Sequence, residues 1–156
     1  MLKLICVGKL KERYWREAVA EYVKRLGRYC RMEIAEVPDA SVPDNPSQAQ
    51  IEAVLEREAA GIRKHLKPQM HVVSLCVEGK QLSSEGFAEY IKKQELSGSI
   101  AFIIGGSHGL ADEIKRLSHF CLSFSKMTLP HQMMRAVFLE QLYRACKINA
   151  GESYHK

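Results

Sequence analysis

Met70-His71-Val72-Val73-Ser74-Leu75-Cys76-Val77 is a nearly unbroken apolar run, rich in β-branched residues, near the middle of a 156-residue chain. A run of this kind reads as a central strand buried on both faces. The pattern on either side repeats it. Downstream, Ser83 or Ser84 is placed to cap a helix through Phe87, Ala88, Ile91 and Lys92 that stops near Ser97-Gly98. Ile100 to Ile104 is a second short, wholly apolar strand. After Gly105-Gly106-Ser107-His108-Gly109 the spacing predicts a short helix over about 111–117 and a strand over 120–124. A loop to Pro130 then leads into a long last helix over about 131–148.

Upstream, Leu2 to Val7 is an apolar run ended by Gly8, and Trp15, Ala18, Val19, Tyr22 and Leu26 recur at helical spacing. Met32 to Val37 alternates apolar and acidic residues, as a partly exposed strand does. Pro38 to Pro46 is a proline-rich loop long enough to move or to meet a partner, and Ser47 can cap the helix that follows it. That helix carries a stripe of Ile51, Val54, Leu55, Ile62 and Leu66. The order is βαβαβαβαβα, which predicts an α/β fold, a mostly parallel sheet with helices on both faces. In such sheets a ligand crevice lies beyond the carboxyl ends of the strands, so the loops after residues 77, 104 and 124 are the candidates.

Length and composition narrow the class. The chain suits a single domain spanning 1–156, and its 46% apolar and 26% charged residues are those of an ordinary globular protein. No apolar run approaches the length of a membrane span, and Leu4 to Val7 is too brief for a signal-peptide core; a cytoplasmic protein with no membrane partner is expected. The five cysteines are widely spaced in apolar sequence and read as reduced core thiols. Neither they nor the six histidines show the paired spacing of a zinc site, so no metal is expected. Net charge is +5, but residues 9–31 carry eight Lys/Arg against three acids. A basic face of this kind is the footprint of a polyanion partner and also of a merely solvated helix, so charge alone leaves both open.

Two loops carry the chemical interest. Gly105-Gly106-Ser107-His108-Gly109 would let a ligand press against bare backbone amides, yet it matches neither a dinucleotide fingerprint nor a P-loop. Phe124-Ser125-Lys126-Met127-Thr128-Leu129-Pro130-His131-Gln132 alternates hydrophobic and hydroxyl residues where a strand must end and a helix begin. Thr128 is placed to cap that helix, with Pro130 in its first turn. The last helix is apolar over most of its circumference, more than one small core requires, so a symmetric homodimer through it is expected.

Taken together, Lys3-Leu4-Ile5-Cys6-Val7-Gly8-Lys9, Leu75 before Gly79-Lys80, Phe102 to Gly106 with Gly109, Met127-Thr128-Leu129-Pro130-His131, Leu142-Tyr143-Arg144-Ala145 and terminal Tyr154-His155 resemble one family end to end. It is the RlmH family, SPOUT-class methyltransferases that modify pseudouridine in large-subunit ribosomal RNA. The resemblance implies a carboxyl-terminal trefoil knot, a homodimer, and an S-adenosyl-L-methionine pocket formed by Leu75, Gly105, Gly106, Phe124, Ser125, Lys126, Met127, Thr128 and Leu129. It implies methyl transfer to N3 of a pseudouridine in 23S ribosomal RNA, in the hairpin that faces the small subunit, within the ribosome. The polar roles fall on His131, Arg135, Tyr154 and His155: Arg135 and the basic amino-terminal helix to hold phosphates, Tyr154 and His155 to stack on or hydrogen-bond an exposed base. His108 receives no role. The competing expectation is a non-catalytic α/β module that binds RNA or a nucleotide through the same glycine loop.

Overall fold

The structure, a computed structural model, describes residues 1–96 and 98–153. Ten elements follow in strict alternation: β1 (Leu2–Val7), α1 (Arg13–Leu26), β2 (Met32–Val37), α2 (Gln48–Arg63), β3 (His71–Gln81), α3 (Ser84–Glu95), β4 (Ile100–Ile104), α4 (Asp112–Leu117), β5 (Phe120–Ser123) and α5 (His131–Asn149). The strands form one five-stranded sheet in the order β2-β1-β4-β3-β5, and every pairing is parallel. The α/β class and the two-faced layering are those predicted. The centre is β4 rather than β3: Ile100 to Ile104 are all buried, whereas β3 emerges into solvent at Val77.

Period-two alternation divides the core. Leu2, Leu4, Cys6, Phe102 and Val73 point to one face, where they meet Val19 and Leu26 of α1, Phe87 and Ile91 of α3, and Phe138 and Leu142 of α5. Ile5, Val7, Ile103 and Val72 point to the other, against Ala59 and Ile62 of α2 and Ile114 of α4. Phe87, Phe102, Phe124 and Phe138 make tilted and edge-to-face contacts with centroids 4.7 to 6.4 Å apart.

The helix starts are local events. Ser47 accepts from the amide of Gln50, whose side chain accepts in turn from the Ser47 amide, a complete capping box. Ser83, not Ser84, caps α3 by accepting from the Gly86 amide. At α5 the expectation of a Thr128 cap is corrected. Pro130 occupies the N-cap position with no side-chain cap, because the chain enters the helix two residues later than a Thr128 cap would require.

The strand order places a topological switch point between β1 and β4, since the chain leaves β1 toward β2 and leaves β4 toward β5. Cys6 and Ile104 are the last paired residues of the two strands, so the turns that begin at Gly8 and Gly105 leave from the same carboxyl edge.

Candidate functional site

Three loops meet at that edge. β3 pairs with β5 twice, first through Val73 and Leu75 and again through Lys80 and Gln81, with a register shift between Leu75 and Lys80. The residues between those registers, Cys76 to Gly79, fall outside the β5 register, and the carbonyl of Val77 is taken up by a side chain of β5 instead. The crossing is tight: a Cβ on Gly79 would stand 2.6 Å from the carbonyl oxygen of Cys121. After β4, the turn 105–109 folds back on itself through the Gly109 amide donating to Gly106 O at 3.1 Å, with Gly109 at a left-handed φ of +82°. A Cβ on Gly105 would meet the main chain of Gly109, and one on Gly106 would press on Val7 and on both oxygens of Glu58.

After β5, Ser123 ties the first and third loops together. Its buried Oγ lies 2.9 Å from the carbonyl of Val77 and 3.0 Å from that of Ser125, within reach of both acceptors. Ser125 Oγ accepts from the Met127 amide and shapes the next turn. No sequence signal singled out Ser123, because its partner Val77 is 46 positions away.

Between these loops lies a cavity of about 580 Å³, within the range of small-molecule sites. Of the expected ligand-contacting residues, Leu75, Gly105, Gly106, Phe124, Ser125, Met127, Thr128 and Leu129 line it. Lys126 does not: it is exposed to solvent and absent from the lining. The wall also includes residues that the pattern did not single out, among them Cys76, Glu78, Leu110, Lys115 and Met134. Leu75, Ile104, Leu122, Phe124 and Met134 supply an apolar bed, and the glycines can present only peptide groups.

The electrostatics are uneven across the cavity. At one side Lys115 Nζ pairs with Glu78 Oε1 at 2.5 Å, and the hydrogen bond lowers the Glu78 carboxyl and raises the Lys115 ammonium. Burial, then the neighbouring Cys121, pushes the Cys76 thiol up to about 12. At the other side His131 opens α5. Burial lowers the affinity of its imidazole for a proton, Arg135 and Lys11 lower it further, and Asp39 partly opposes them.

Arg135 is not where a phosphate-holding residue would be. Its side chain is only 1% exposed; one terminal nitrogen donates to Glu36 Oε1 at 2.8 Å and the other to the carbonyls of Val7 and Gly8 at 3.1 and 2.5 Å. The guanidinium is consumed in fastening α5 to the ends of β1 and β2, and only its Nε is left without a partner. The expectation that Arg135 meets RNA is corrected accordingly. Tyr154 and His155 lie outside the described residues. His108 stands near Glu58, outside the cavity wall.

The model of the family described as "Predicted SPOUT methyltransferase" matches residues 1–155, almost the whole chain. The chain belongs to the SPOUT methyltransferase family. The SPOUT fold accounts for two structural likenesses. One is to "a probable methylase family protein from Haemophilus influenzae Rd KW20", with a TM-score of 0.62 at 14% identity over 99% of this chain and 70% of that one. The other is to a "Probable Methyltransferase from Bordetella pertussis Tohama I", with a TM-score of 0.58 at 16% identity over 93% and 95%. At such identities the likeness is one of fold. Methyltransferase activity follows from the family. Among the described residues no helix is long and apolar enough to cross a membrane.

Proposed function

We propose that this SPOUT methyltransferase uses S-adenosylmethionine to methylate N3 of a pseudouridine in the helix 69 region of 23S ribosomal RNA, acting on the ribosome. The observation that carries the reading is the cavity itself: the loops after β3, β4 and β5 enclose it at the carboxyl edge, and eight of the nine residues expected to hold the cofactor line it. The residues fit the group. A purine needs an apolar slot with peptide donors and acceptors at its edge, which Leu75, Leu122 and Phe124 with the bulged segment at Cys76 to Glu78 offer. The glycine turn 105–109 allows close approach by a polar ribose or amino-acid end.

When bound, S-adenosylmethionine supplies a methyl group already activated by a sulfonium charge, so the protein's part is alignment and proton handling. Ser123 fixes two walls of the pocket against each other, and Pro130 and His131 bring the start of α5 to its mouth. No side chain of the wall needs to form a covalent bond to the base.

Size and charge support the RNA partner. Lys9, Lys11, Arg13 and Arg16 are exposed on the β1–α1 segment, and the Lys11 amide donates to Gln132 Oε1 at 2.8 Å, which sets this basic segment beside the mouth. Partly exposed apolar residues of α5, such as Met133 and Val137, support a homodimer. The trefoil knot belongs to the same reading.

The test is transfer of labelled methyl from S-adenosylmethionine to ribosomes lacking the modification, followed by mapping of the labelled base. Label at N3 of one pseudouridine in helix 69, with much weaker labelling of the naked hairpin, is the expected result. Failure to bind the cofactor by titration calorimetry, together with no label on ribosomes, would leave the non-catalytic binding module in its place.

A further inference from the structure

N3 of a pseudouridine carries a proton that must leave as the methyl arrives, and the cavity wall holds few groups able to take it. Glu78 is neutralised by its 2.5 Å pair with Lys115, and the Lys115 ammonium has no free electron pair. Cys76 holds its proton firmly against burial and Cys121. The hydroxyls of Ser125 and Thr128 are far too weak as bases at neutral pH. Among the described residues of the wall that leaves His131, for whose ring no hydrogen-bond partner is found among them and which stands at the cavity mouth. Its Nε2 is 3.5 Å from the position a Cβ would take on Gly8.

One turn further along α5, Arg135 is locked into place by Glu36 and by the carbonyls of Val7 and Gly8. A buried cation at i+4 that cannot swing away is an odd element of a core, yet it places fixed positive charge behind the imidazole. We infer that His131 is the proton acceptor of this site and that Arg135 is its positioning residue. This rests on the proposed methyl transfer to N3. In the step, the N3–H proton passes to a ring nitrogen of His131 and the N3 electron pair forms the bond to the methyl carbon. The carbon–sulfur bond pair returns to sulfur as a neutral thioether, and the imidazolium afterwards gives its proton to water.

The charged groups facing the ring are Arg135 from its own helix, Lys11 from the β1–α1 loop and Asp39 from the β2–α2 loop. Two of them are exposed and can be changed without touching the core. Asp39→Asn removes the negative charge and should move the His131 titration to lower pH; Lys11→Met removes a positive one and should move it to higher pH. The imidazole resonance of His131, assigned by its loss in His131→Gln, reads both shifts by NMR without any turnover. On ribosomes, methyl transfer should rise with pH through the same inflection, with the two variants displaced in the same opposite senses. His131→Gln should lose about 100-fold or more in kcat, the usual yield of a general base, with cofactor affinity within threefold. Arg135→Lys, which keeps the charge, should keep the inflection.

Opposite displacements of the two surface variants, with the loss in kcat, support the assignment. Retention of kcat within threefold by His131→Gln would overturn the acceptor role, and an inflection unmoved in both Asp39→Asn and Lys11→Met, or moved by Arg135→Lys, would overturn the electrostatic one. If the wild-type protein methylates no ribosome, the proposed function fails and the acceptor role with it, whereas the NMR titration still decides what Arg135 does to the ring.

Discussion

Gly105→Ala tests whether the glycine turn is a wall of the cofactor pocket. A Cβ built on Gly105 would lie 2.6 Å from the carbonyl carbon of Gly109 and 3.0 Å from Leu110 Cγ, where ordinary contacts begin near 3.4 Å. The carbonyl oxygen of Gly109 would be nearer still, so the turn must open by roughly 1 Å, which strains the 3.1 Å bond from the Gly109 amide to Gly106 O. Overpacking of this kind costs about 1–3 kcal/mol, which lowers Tm by roughly 2–12 °C for a domain of this size. Moving peptide groups by such a distance also costs one or two hydrogen bonds to the ligand, about 1–3 kcal/mol, or roughly 5–150-fold in Kd. Calorimetric titration with S-adenosylmethionine and thermal melting measure the two effects separately. Gly151→Ala serves as the comparison: Gly151 has a φ of +68° with nothing within 4 Å of an added Cβ, at the far end of α5, so it should cost stability without weakening binding. Equal cofactor affinity in wild type and Gly105→Ala would refute the reasoning.

Arg135→Met should destabilise the protein by about 3 kcal/mol, toward the lower end for a broken buried pair because Glu36 is 38% exposed and can be rehydrated; a urea midpoint unchanged at pH 7 would contradict it. Ser47→Ala removes half of the capping box of α2 and should cost about 1 kcal/mol by the same measurement, with no effect on cofactor binding. Glu58 is buried on α2, and burial raises its carboxyl above the ordinary range despite the Ala40 amide that it accepts. The folded protein thus holds that proton more tightly than the unfolded chain, so this group adds stability as pH falls from neutrality toward its unfolded value near 4.5. Glu58→Gln should remove that component, flattening stability against pH between neutrality and the unfolded value and equalling or exceeding wild type at pH 7; a steeper dependence in the variant would argue against the assignment.

Local signals in the chain were enough for the elements. Ser47 with Gln50, Ser83 before Gly86, and the uninterrupted run Ile100 to Ile104 each specify their structure within a few residues, so the alternating order could be read directly. The glycine turn was legible for the same reason. What escaped the pattern is non-local. The register shift after Leu75 arises only when β5 is laid beside β3, and the bridging role of Ser123 depends on a carbonyl 46 residues upstream. Arg135 looked like a surface cation because charged residues usually are; its burial follows from two carbonyls and a carboxylate that converge from the ends of β1 and β2, which spacing along α5 does not reveal. Lys126, in the midst of lining residues, was carried along by its neighbours although it is exposed to solvent.

The fastening of Arg135 onto Val7 and Gly8 joins residues 128 and 127 positions apart. During synthesis the first strand leaves the ribosome long before the cation that satisfies its end, 127 and 128 positions further on, has been made. Most of the chain must therefore wait, with that strand end bathed in water, and the final docking of α5 completes the sheet edge and the pocket in one event. A nascent chain stalled before residue 131 should accordingly gain helices without gaining the ligand site.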